Sequence, residues 1–318
     1  MKLSHFDLNL LRSLDVLLAE RNVTRAAAKL YVTQQAASGA LQRLRQHFDD
    51  ELLTRVGRRL ELTPLARSLV VPVREALLAV QSALDTFPTF DPKDTMATCR
   101  IAMSDYALLV LLPRFLQLLG ERAPQVKCIV EPLTKDSFDR LEMGDLDFCV
   151  AAHDVRLYGA HRPSSKIRSK EMFHDDFVCV VDPKRVDVSR GMSLSTYRSL
   201  RHNSAAFGTG VNSIVQRAWA NSNFDFEIAV MAPSFSALLF MLPGTSLVAT
   251  AQRRLANTIA PRLALAIVDC PLKLPDLQES LMWHDRSEND PVHIFLRETL
   301  QDAASELDRP CRAASESC

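Results

Sequence analysis

The chain has 318 residues, with 38 basic and 38 acidic side chains and 47% hydrophobic residues. Its net charge of zero excludes a protein that is basic throughout, and at roughly 150 residues per domain its length predicts about two domains. No apolar run reaches the roughly 18 residues that span a bilayer, and the first residues lack a signal-peptide pattern. We therefore expect a cytoplasmic protein with no membrane partner.

The charge is unevenly distributed along the chain. Residues 1–90 carry 12 basic and 9 acidic side chains, net +3, whereas residues 91–318 carry 26 and 29, net −3. Between residues 21 and 59, eight basic side chains stand against three acidic ones, net +5. This basic segment favours a nucleic-acid-binding module, although a solvated helix face can carry as much charge.

Three helices are predicted in the N-terminal region. Residues 6–20 place leucines at helical spacing, which indicates an amphipathic first helix. Thr24 is the expected N-cap of a short alanine-rich helix over residues 25–30, and Thr33 is that of a third helix from Gln34 to about Gln46. Two capped helices joined by a brief turn predict a helix-turn-helix, whose second helix enters the major groove of DNA.

The third predicted helix carries hydrogen-bonding side chains along one stripe, and its small apolar ones, Ala36, Ala37, Ala40 and Leu44, lie opposite. Amide, hydroxyl and guanidinium groups read base edges in the major groove, because Gln pairs with adenine and Arg with guanine. A solvated outer face is the structural alternative. The functional interpretation assigns DNA contacts to Thr33, Gln34, Gln35, Ser38, Gln42, Arg43 and Arg45.

Residues 52–64 form two short β-like runs around a Gly57-Arg58-Arg59 turn, which predicts a wing. Arginines on such a wing contact phosphates or the minor groove. We therefore expect Arg55, Arg58 and Arg59 to bind DNA.

A connector occupies residues 64–90. Apolar side chains repeat at three- and four-residue steps over residues 64–87, which predicts an amphipathic helix that starts at Pro64. Pro72 is expected to kink this helix, because proline lacks a backbone donor. The apolar stripe packs either against its own domain or against a partner.

Residues 91–318 alternate strand-like and helix-like runs, which predicts α/β layers with a mostly parallel sheet. The predicted strands cover residues 99–103, 126–131, 146–152, 177–181, 247–250 and 263–268. The predicted helices cover residues 105–119, 137–142 and 211–221.

A ligand site is expected where these strands end, because open α/β sheets bind ligands beyond the carboxyl ends of their strands. Ser104 and Asp105 begin a helix there, and the alternatives for Ser104 are an anion site and a plain N-cap. We expect an organic acid at this position, with its ring against Phe or Trp. The candidate effector-binding residues are Ser104, Asp105, His153, Phe173, His202, Asn203, Phe235, Ser236 and Trp283.

Several segments resemble the LysR-type transcriptional regulators: Asp7-Leu8-Asn9-Leu10-Leu11, Asn22-Val23-Thr24-Arg25-Ala26-Ala27, Thr33-Gln34-Gln35-Ala36-Ala37-Ser38, Leu53-Thr54-Arg55 and Leu62-Thr63-Pro64-Leu65-Ala66. The first of these segments and Met282-Trp283-His284 are similar to the branch that includes nodulation regulators and salicylate-type aromatic-acid sensors. Gln35 stands where the family usually has Pro, and Gly39 where a longer polar residue is common. A different base preference is therefore expected.

The resemblance implies a three-part architecture and a set of partners. An all-α-type winged helix-turn-helix over residues 1–63 and a dimerisation helix over 64–90 precede a periplasmic-binding-protein-like α/β effector domain over 91–318. Its two subdomains are expected at about 91–165 plus 270–307 and at about 166–269, with crossings near residues 162–167 and near Asp269. The implied partners are promoter DNA with an interrupted palindrome, a small-molecule effector, a second copy in a homodimer or homotetramer, and RNA polymerase as a further candidate.

Three functions compete on the sequence: an inducer-responsive regulator, a redox-responsive regulator that uses cysteines, and an enzyme. Most of the seven cysteines lie in or beside apolar runs, where inert core thiols are the alternative to a redox switch. The chain lacks the G-x-S-x-G, H-E-x-x-H and Walker motifs, and Gly208-Thr209-Gly210 lacks the third glycine of a dinucleotide fingerprint. We therefore expect no catalytic residue, no metal ion and no cofactor.

Overall fold

A computed structural model of the chain describes residues 6–7, 9–56, 59–84, 90–154, 157, 163–205, 213–222 and 225–307. The chain divides into two compact units, residues 1–88 (unit 1) and residues 89–318 (unit 2), each with its own core. No helix within the described ranges combines the length and the apolar character that crossing a membrane requires.

Unit 1 begins with three helices, α1 (Asn9–Glu20), α2 (Val23–Leu30) and α3 (Gln34–Phe48). The predicted cap of α3 is confirmed, because Thr33 Oγ1 accepts the N–H of Ala36 at 3.2 Å. The predicted cap of α2 is wrong: Asn22 Oδ1 accepts the N–H of Arg25 at 3.0 Å, which places Thr24 inside the helix. A polar side chain two residues earlier thus reaches the free N–H groups first.

The core of unit 1 lies where these helices cross. Leucines from α1 and α3 are buried against small side chains of α2, and the alanines allow the helices to approach closely. Two antiparallel strands follow, β1 (Leu53–Val56) and β2 (Arg59–Leu62), and Leu53 pairs with Leu62. Asp50 Oδ1 accepts the Leu52 N–H and the Thr63 hydroxyl, each at 2.6 Å, and so ties both ends of this hairpin together.

The connector forms helix α4 (Pro64–Leu84), which continues through Pro72. Ala66 and Val73 on one face are buried in the core of unit 1, and Arg74 donates to Asp15 of α1 at 2.7 Å. Packing against its own domain is therefore confirmed for this face, whereas Val80 is exposed.

Unit 2 contains two five-stranded sheets. The first has the strand order β4-β3-β5-β12-β6, and β12 runs antiparallel to both of its neighbours. Its strands are β3 (Thr98–Met103), β4 (Lys127–Pro132), β5 (Phe148–Ala152), β6 (Ile167–Asp175) and β12 (Leu277–His284). The helices near it are α5 (Asp105–Val110), α6 (Leu112–Arg122), α7 (Ser137–Met143) and α12 (Pro291–Leu307). The single helix predicted over residues 105–119 is thus two helices, because Pro113 cannot donate a backbone hydrogen bond to Leu109.

The second sheet has the strand order β11-β7-β10-β8-β9. Its strands are β7 (Phe177–Val181), β8 (Arg201–Ala205), β9 (Ile228–Ala232), β10 (Leu247–Gln252) and β11 (Ala266–Asp269). The associated helices are α8 (Leu194–Ser199), α9 (Ile214–Ala220), α10 (Phe235–Phe240) and α11 (Arg253–Ile259). Strands β10, β8 and β9 are parallel, so their carboxyl ends meet at one edge.

The chain passes from the first sheet to the second at Asp176. The crossing predicted near residues 162–167 is wrong, because β6 pairs along its whole length with β12 of the first sheet. The return occurs between Asp269 and Leu277, close to the predicted position. Arg253 donates to both carboxylate oxygens of Asp176, at 2.7 and 2.8 Å, and to Asp269 at 3.0 Å, so one guanidinium joins the chain at both crossings.

Candidate nucleic-acid interface and ligand cavity

Helix α3 presents a polar outer face. The predicted stripe of Gln34, Gln35, Ser38 and Gln42 is exposed, and the side chains that turn inward are Ala37, Ala40, Leu41 and Leu44. Ala36, which the periodicity places with the inward residues, is exposed in the first turn of the helix. The exposed amide and hydroxyl groups are free to meet base edges, which is the arrangement that a recognition helix requires.

The two arginines of α3 differ in their surroundings. Arg45 donates to the carbonyl oxygens of Glu51 and Leu53, at 2.8 and 2.9 Å, and forms an ion pair with the Glu51 carboxylate at 2.9 Å. This guanidinium therefore holds the start of β1 instead of pointing outward. Arg43 is exposed and lies 3.7 Å from the Asp7 carboxylate.

An open groove runs between the α1–α2 connection and the wing strands. Arg21 and Arg25 line it from one side, and Arg55 and Arg59 from the other. Arg25 also pairs with Glu20 at 3.0 Å, and hydrogen bonds from Lys29 and Arg25 lower the pKa of this carboxyl. Both predicted wing arginines within the described residues are exposed, whereas Arg58 lies outside those residues.

Tyr31 is an exposed aromatic side chain that is absent from the predicted DNA-contacting residues. It lies between α2 and α3 in the left-handed conformation, φ 57°, and is 91% exposed. Such exposure is unusual for a tyrosine, and its position beside Thr33 places it at the entrance of the recognition helix. Within unit 1 it is a further candidate for a DNA contact.

Unit 2 holds a cavity of about 400 Å³ whose walls come from both sheets. The first sheet contributes the carboxyl ends of β3, β4 and β5, and the second sheet contributes the last residue of β10, the residue after β9 and the first residue of α10. This position agrees with the rule for open α/β sheets. Among the predicted effector-binding residues, Ser104, Asp105 and Phe235 line the cavity. Ser236 lies next to it, and its N–H donates to Asp105 Oδ2 at 2.9 Å.

Two of the nine candidates lie in the interior of the second sheet, away from the cavity lining. His202 is fully buried, its Nε2 donates to the carbonyl of Tyr197 at 2.9 Å, and its ring contacts the rings of Trp219 and Phe226. Asn203 is buried beside it and donates to the carbonyl of Leu238 at 3.3 Å. Burial in an aromatic cluster lowers the pKa of His202, so this ring is neutral and belongs to the core.

The other three candidates lie in or next to the strands of the first sheet, and each contacts a neighbouring side chain. Phe173 is buried against the ring of Tyr106, and His153 Nδ1 lies 3.2 Å from the Ser280 hydroxyl. Trp283 donates to Glu288 at 2.6 Å, and the Arg297 guanidinium lies over its ring. The structure does not bring these side chains to the cavity wall.

The N-terminus of α5 is already satisfied. Ser104 Oγ accepts the N–H of Ala107 at 3.1 Å, as a plain N-cap does. The helix has only six residues, and Asp105 adds a negative charge to its first turn. This environment disfavours a second anion, such as the carboxylate of an organic acid.

Two buried polar side chains that the sequence reasoning missed line the cavity. Glu279 of β12 is 3% exposed and Gln252 of β10 is 1% exposed. Glu279 Oε2 and Gln252 Oε1 have no hydrogen-bond partner among the described residues. Burial raises the pKa of Glu279 to about 8, so this carboxyl is protonated at neutral pH. Neither residue belongs to a motif, because only the tertiary fold brings the two strands to one cavity.

The cysteines of unit 2 lie largely in its interior. Burial raises the pKa of Cys149 to about 12. The thiols of Cys99 and Cys179 donate hydrogen bonds to Cys128 and Cys270, and these bonds together with burial raise the pKa of Cys99 and Cys179. The thiols of Cys99, Cys149 and Cys179 are therefore protonated at neutral pH and are poor nucleophiles. Cys311 and Cys318 lie outside the described residues.

Comparisons with known proteins agree with this division. A family model described as a bacterial regulatory helix-turn-helix protein of the lysR family matches residues 8–67, and one described as a LysR substrate binding domain matches residues 93–305. The chain is 35% identical to nodulation protein D 1 of Rhizobium tropici over 311 residues, which cover 98% of this chain and 99% of the relative. A solved structure of a probable transcriptional regulator from Pseudomonas aeruginosa is 30% identical, with TM-score 0.63, over 94% of this chain and 98% of that one.

A second solved structure has the same fold at lower identity. The full-length CbnR chain, solved in complex with its target DNA, is 16% identical, with TM-score 0.51. The match covers 94% of this chain and all of that one.

Proposed function

The chain belongs to the LysR family of DNA-binding transcriptional regulators, and we propose that the outer face of α3 reads the bases of its operator. We further propose that a small molecule bound in the cavity of unit 2 controls the transcriptional response. The observation that carries the proposal is the exposed row of Gln34, Gln35, Ser38 and Gln42 on a helix whose other face is buried. Such a helix inserts into the major groove, because amide and hydroxyl groups there replace water on base edges.

The exposed arginines of unit 1 supply the second part of the proposal. Arg55 and Arg59 extend from the wing, and cations in this position bind phosphates and hold the recognition helix in register. Arg43 joins them, whereas Arg45 acts indirectly by fixing the start of the wing. Tyr31 and the N-cap Thr33 lie at the end of α3 that enters the groove first.

A homodimer or homotetramer fits this arrangement, because one recognition helix reads only half of an interrupted palindrome. The exposed apolar part of α4, which includes Val80, is the surface we assign to the contact between copies. RNA polymerase is the further candidate partner of such an assembly, which acts on promoter DNA and thus in the cytoplasm.

The cavity supplies the control. Its walls come from two sheets, which the described part of the chain joins at two crossings, so a ligand that contacts both walls favours one arrangement of the sheets over others. We assign ligand contacts to Ser104, Asp105 and Phe235, which line the cavity.

The test of DNA binding uses fluorescence anisotropy with an operator selected from random double-stranded DNA. Arg55→Ala should weaken binding to every sequence and reduce the slope of log affinity against log salt by about 1, because one phosphate contact is lost. Arg201→Ala, which removes an exposed arginine of unit 2, is the matched control and should leave the slope unchanged. An unchanged slope for Arg55→Ala would remove the wing from the proposal.

The test of base reading uses the same operator with single base-pair changes. Gln34→Ala should relax discrimination at one position by about 1–3 kcal/mol and leave the other positions unchanged. Gln117→Ala, at an exposed glutamine of unit 2, should have no effect on any position. Equal losses at every position for Gln34→Ala would contradict a reading role for α3.

A further inference from the structure

We infer that the cavity of unit 2 takes a neutral, largely apolar molecule that donates hydrogen bonds to Glu279 and Gln252, and that it excludes organic acids. The inference rests on the proposed function of unit 2 as the effector-binding unit and specifies the chemistry of the effector. It replaces the expectation of a carboxylate at Ser104.

The first argument is the position of Glu279. It lies at an irregularity of β12, where the pairing with β6 shifts between Glu279 and Ser280. Such a shift re-aims a side chain, and Ala152, the partner of Glu279 on β5, also lines the cavity. Glu279 is 97% buried, and its Oε2 has no hydrogen-bond partner among the described residues. A molecule in the cavity can supply the missing hydrogen bond.

The second argument is that Gln252 presents the same feature from the opposite wall. It ends β10 in the second sheet, beside Phe177, and its Oε1 has no partner in the described part of the chain. Two buried oxygen atoms from two sheets therefore lack a partner among the described residues, beside a cavity whose walls include the apolar side chains of Met103 and Leu108. A ligand with two donors would satisfy both, since an unmade hydrogen bond of a buried group is a penalty that binding removes.

The third argument is charge. The lining within the described residues holds Asp105, Glu131 and Glu279, and no lysine, arginine or histidine. Glu131 is paired with Arg140 at 2.7 Å, whereas Asp105 accepts the Ser236 N–H at 2.9 Å. Within the described part of the lining, a carboxylate ligand would meet this negative charge and no basic side chain. A cation placed at Glu279 would require ionisation of that carboxyl in a buried position, where the loss of hydration exceeds much of the attraction, so a neutral donor fits this side chain best.

The test uses four naphthalene probes of equal ring size, measured by equilibrium dialysis with the full-length protein. These are 2-naphthol, which donates a hydrogen bond, 2-methoxynaphthalene, which does not, 2-naphthoate, which is an anion, and (naphthalen-2-yl)methylammonium, which is a cation. We expect 2-naphthol to bind at least about tenfold more tightly than each of the other three, because only it is neutral and offers a donor.

Two substitutions of Glu279 assign the preference to this side chain. Glu279→Met keeps the length and removes both polar atoms, so the ratio between 2-naphthol and 2-methoxynaphthalene should fall below about threefold. Glu279→Gln retains an acceptor and should keep the ratio. Glu298→Gln, at an exposed glutamate of α12 outside the cavity, is the matched control and should behave as the unsubstituted protein. Circular dichroism checks that each variant is folded.

Four outcomes overturn the inference: tightest binding of the anion, tightest binding of the cation, a hydroxyl preference that survives in Glu279→Met, and no binding of any probe at millimolar concentration. DNA binding is measured separately on the same samples without probe. Absence of the probe preference in the unsubstituted protein, with intact operator binding, overturns the assignment of the cavity alone. Absence of operator binding contradicts the proposed function itself.

Discussion

A carboxyl group buried among apolar side chains is stable only in its protonated form, and Glu279 is such a group. Burial raises its pKa from 4.5 to about 8. Between these values the unfolded chain is ionised at this position and the folded chain is not. The folded protein therefore binds one more proton, and its free energy of unfolding decreases as the pH rises through this window.

Glu279→Gln should remove this dependence. Near pH 4 the variant and the unsubstituted protein should be about equally stable, because the glutamate is then protonated in both states. Above pH 4.5, the free energy of unfolding of the variant should exceed that of the unsubstituted protein by about 1.4 kcal/mol for each pH unit, up to a few kcal/mol at pH 8. Urea titrations of unit 2 at pH 5, 6, 7 and 8 measure the gain. A gain that is constant with pH would contradict a neutral buried Glu279.

At the scale of single elements, the wing depends on one carboxylate. Asp50 accepts hydrogen bonds from the Leu52 N–H and the Thr63 hydroxyl, and the Thr63 hydroxyl in turn accepts the Ala66 N–H at 3.0 Å, which caps α4. Asp50 thus couples the start of the wing to the start of the connector helix.

Asp50→Ala should destabilise unit 1 by about 1–3 kcal/mol, because it leaves partly buried donors without a partner. Amide hydrogen exchange over β1 and β2 should become faster than in the unsubstituted protein, while exchange in α1 should change less. Glu61→Ala, at an exposed side chain of β2, serves as the control and should leave these rates unchanged. Equal acceleration in all elements of unit 1 would argue against a local clamp.

Helix α12 is attached to the first sheet by a charged histidine. His293 Nε2 lies 3.2 Å from Asp147, just before β5, and its Nδ1 lies 3.0 Å from Asp290. Burial alone would lower the pKa of His293, but the two carboxylates outweigh it and raise the pKa to about 9. The contribution of this triad to stability is complete below pH 6.5 and is lost as the pH rises from 6.5 to 9.

His293→Gln should therefore be less stable than the unsubstituted protein by about 2–3 kcal/mol at pH 6, and this difference should shrink above pH 9. Thermal unfolding followed at pH 6, 7.5 and 9.5 measures it. The opposite trend, in which the difference grows with pH, would mean that His293 is neutral in the folded chain.

The elements differ in how far the sequence determines them. Helices α1 to α3 follow from local periodicity and short-range caps, although the cap of α2 was assigned to Thr24 instead of Asn22. Strands β8 and β12 were missed, because His202, Asn203 and Glu279 are polar and yet buried. Their hydrogen-bond partners, and the cavity that Glu279 lines, come from distant segments, so no local pattern reports them.

At the scale of the whole molecule, the two units have separate cores. Leu44 is buried in the core of unit 1, and Leu281 is buried in the first sheet of unit 2. Leu44→Ala and Leu281→Ala should each reduce the free energy of unfolding of the affected unit by about 2–5 kcal/mol. Each should therefore lower the midpoint temperature of only one of two calorimetric transitions of the full-length protein. A single transition that both substitutions lower equally would show that the units unfold together.

The same scale explains why the charge segregation could be predicted in full and the lining of the cavity only in part. The net charges of +3 before residue 91 and −3 after it are sums over the chain and need no structure. The cavity requires knowledge of which strand ends meet, and the crossing at Asp176 instead of residues 162–167 changes that arrangement.

The strand order of the first sheet has a consequence for synthesis on the ribosome. Strand β12 lies between β5 and β6, yet it is translated more than 100 residues after both of them begin. The second sheet is built from the continuous segment 177–269 and can close before β12 has emerged. Until then β5 and β6 each lack a neighbour, and unpaired strand edges invite aggregation. The nascent chain therefore passes through a stage in which one half of unit 2 is complete and the other half needs protection.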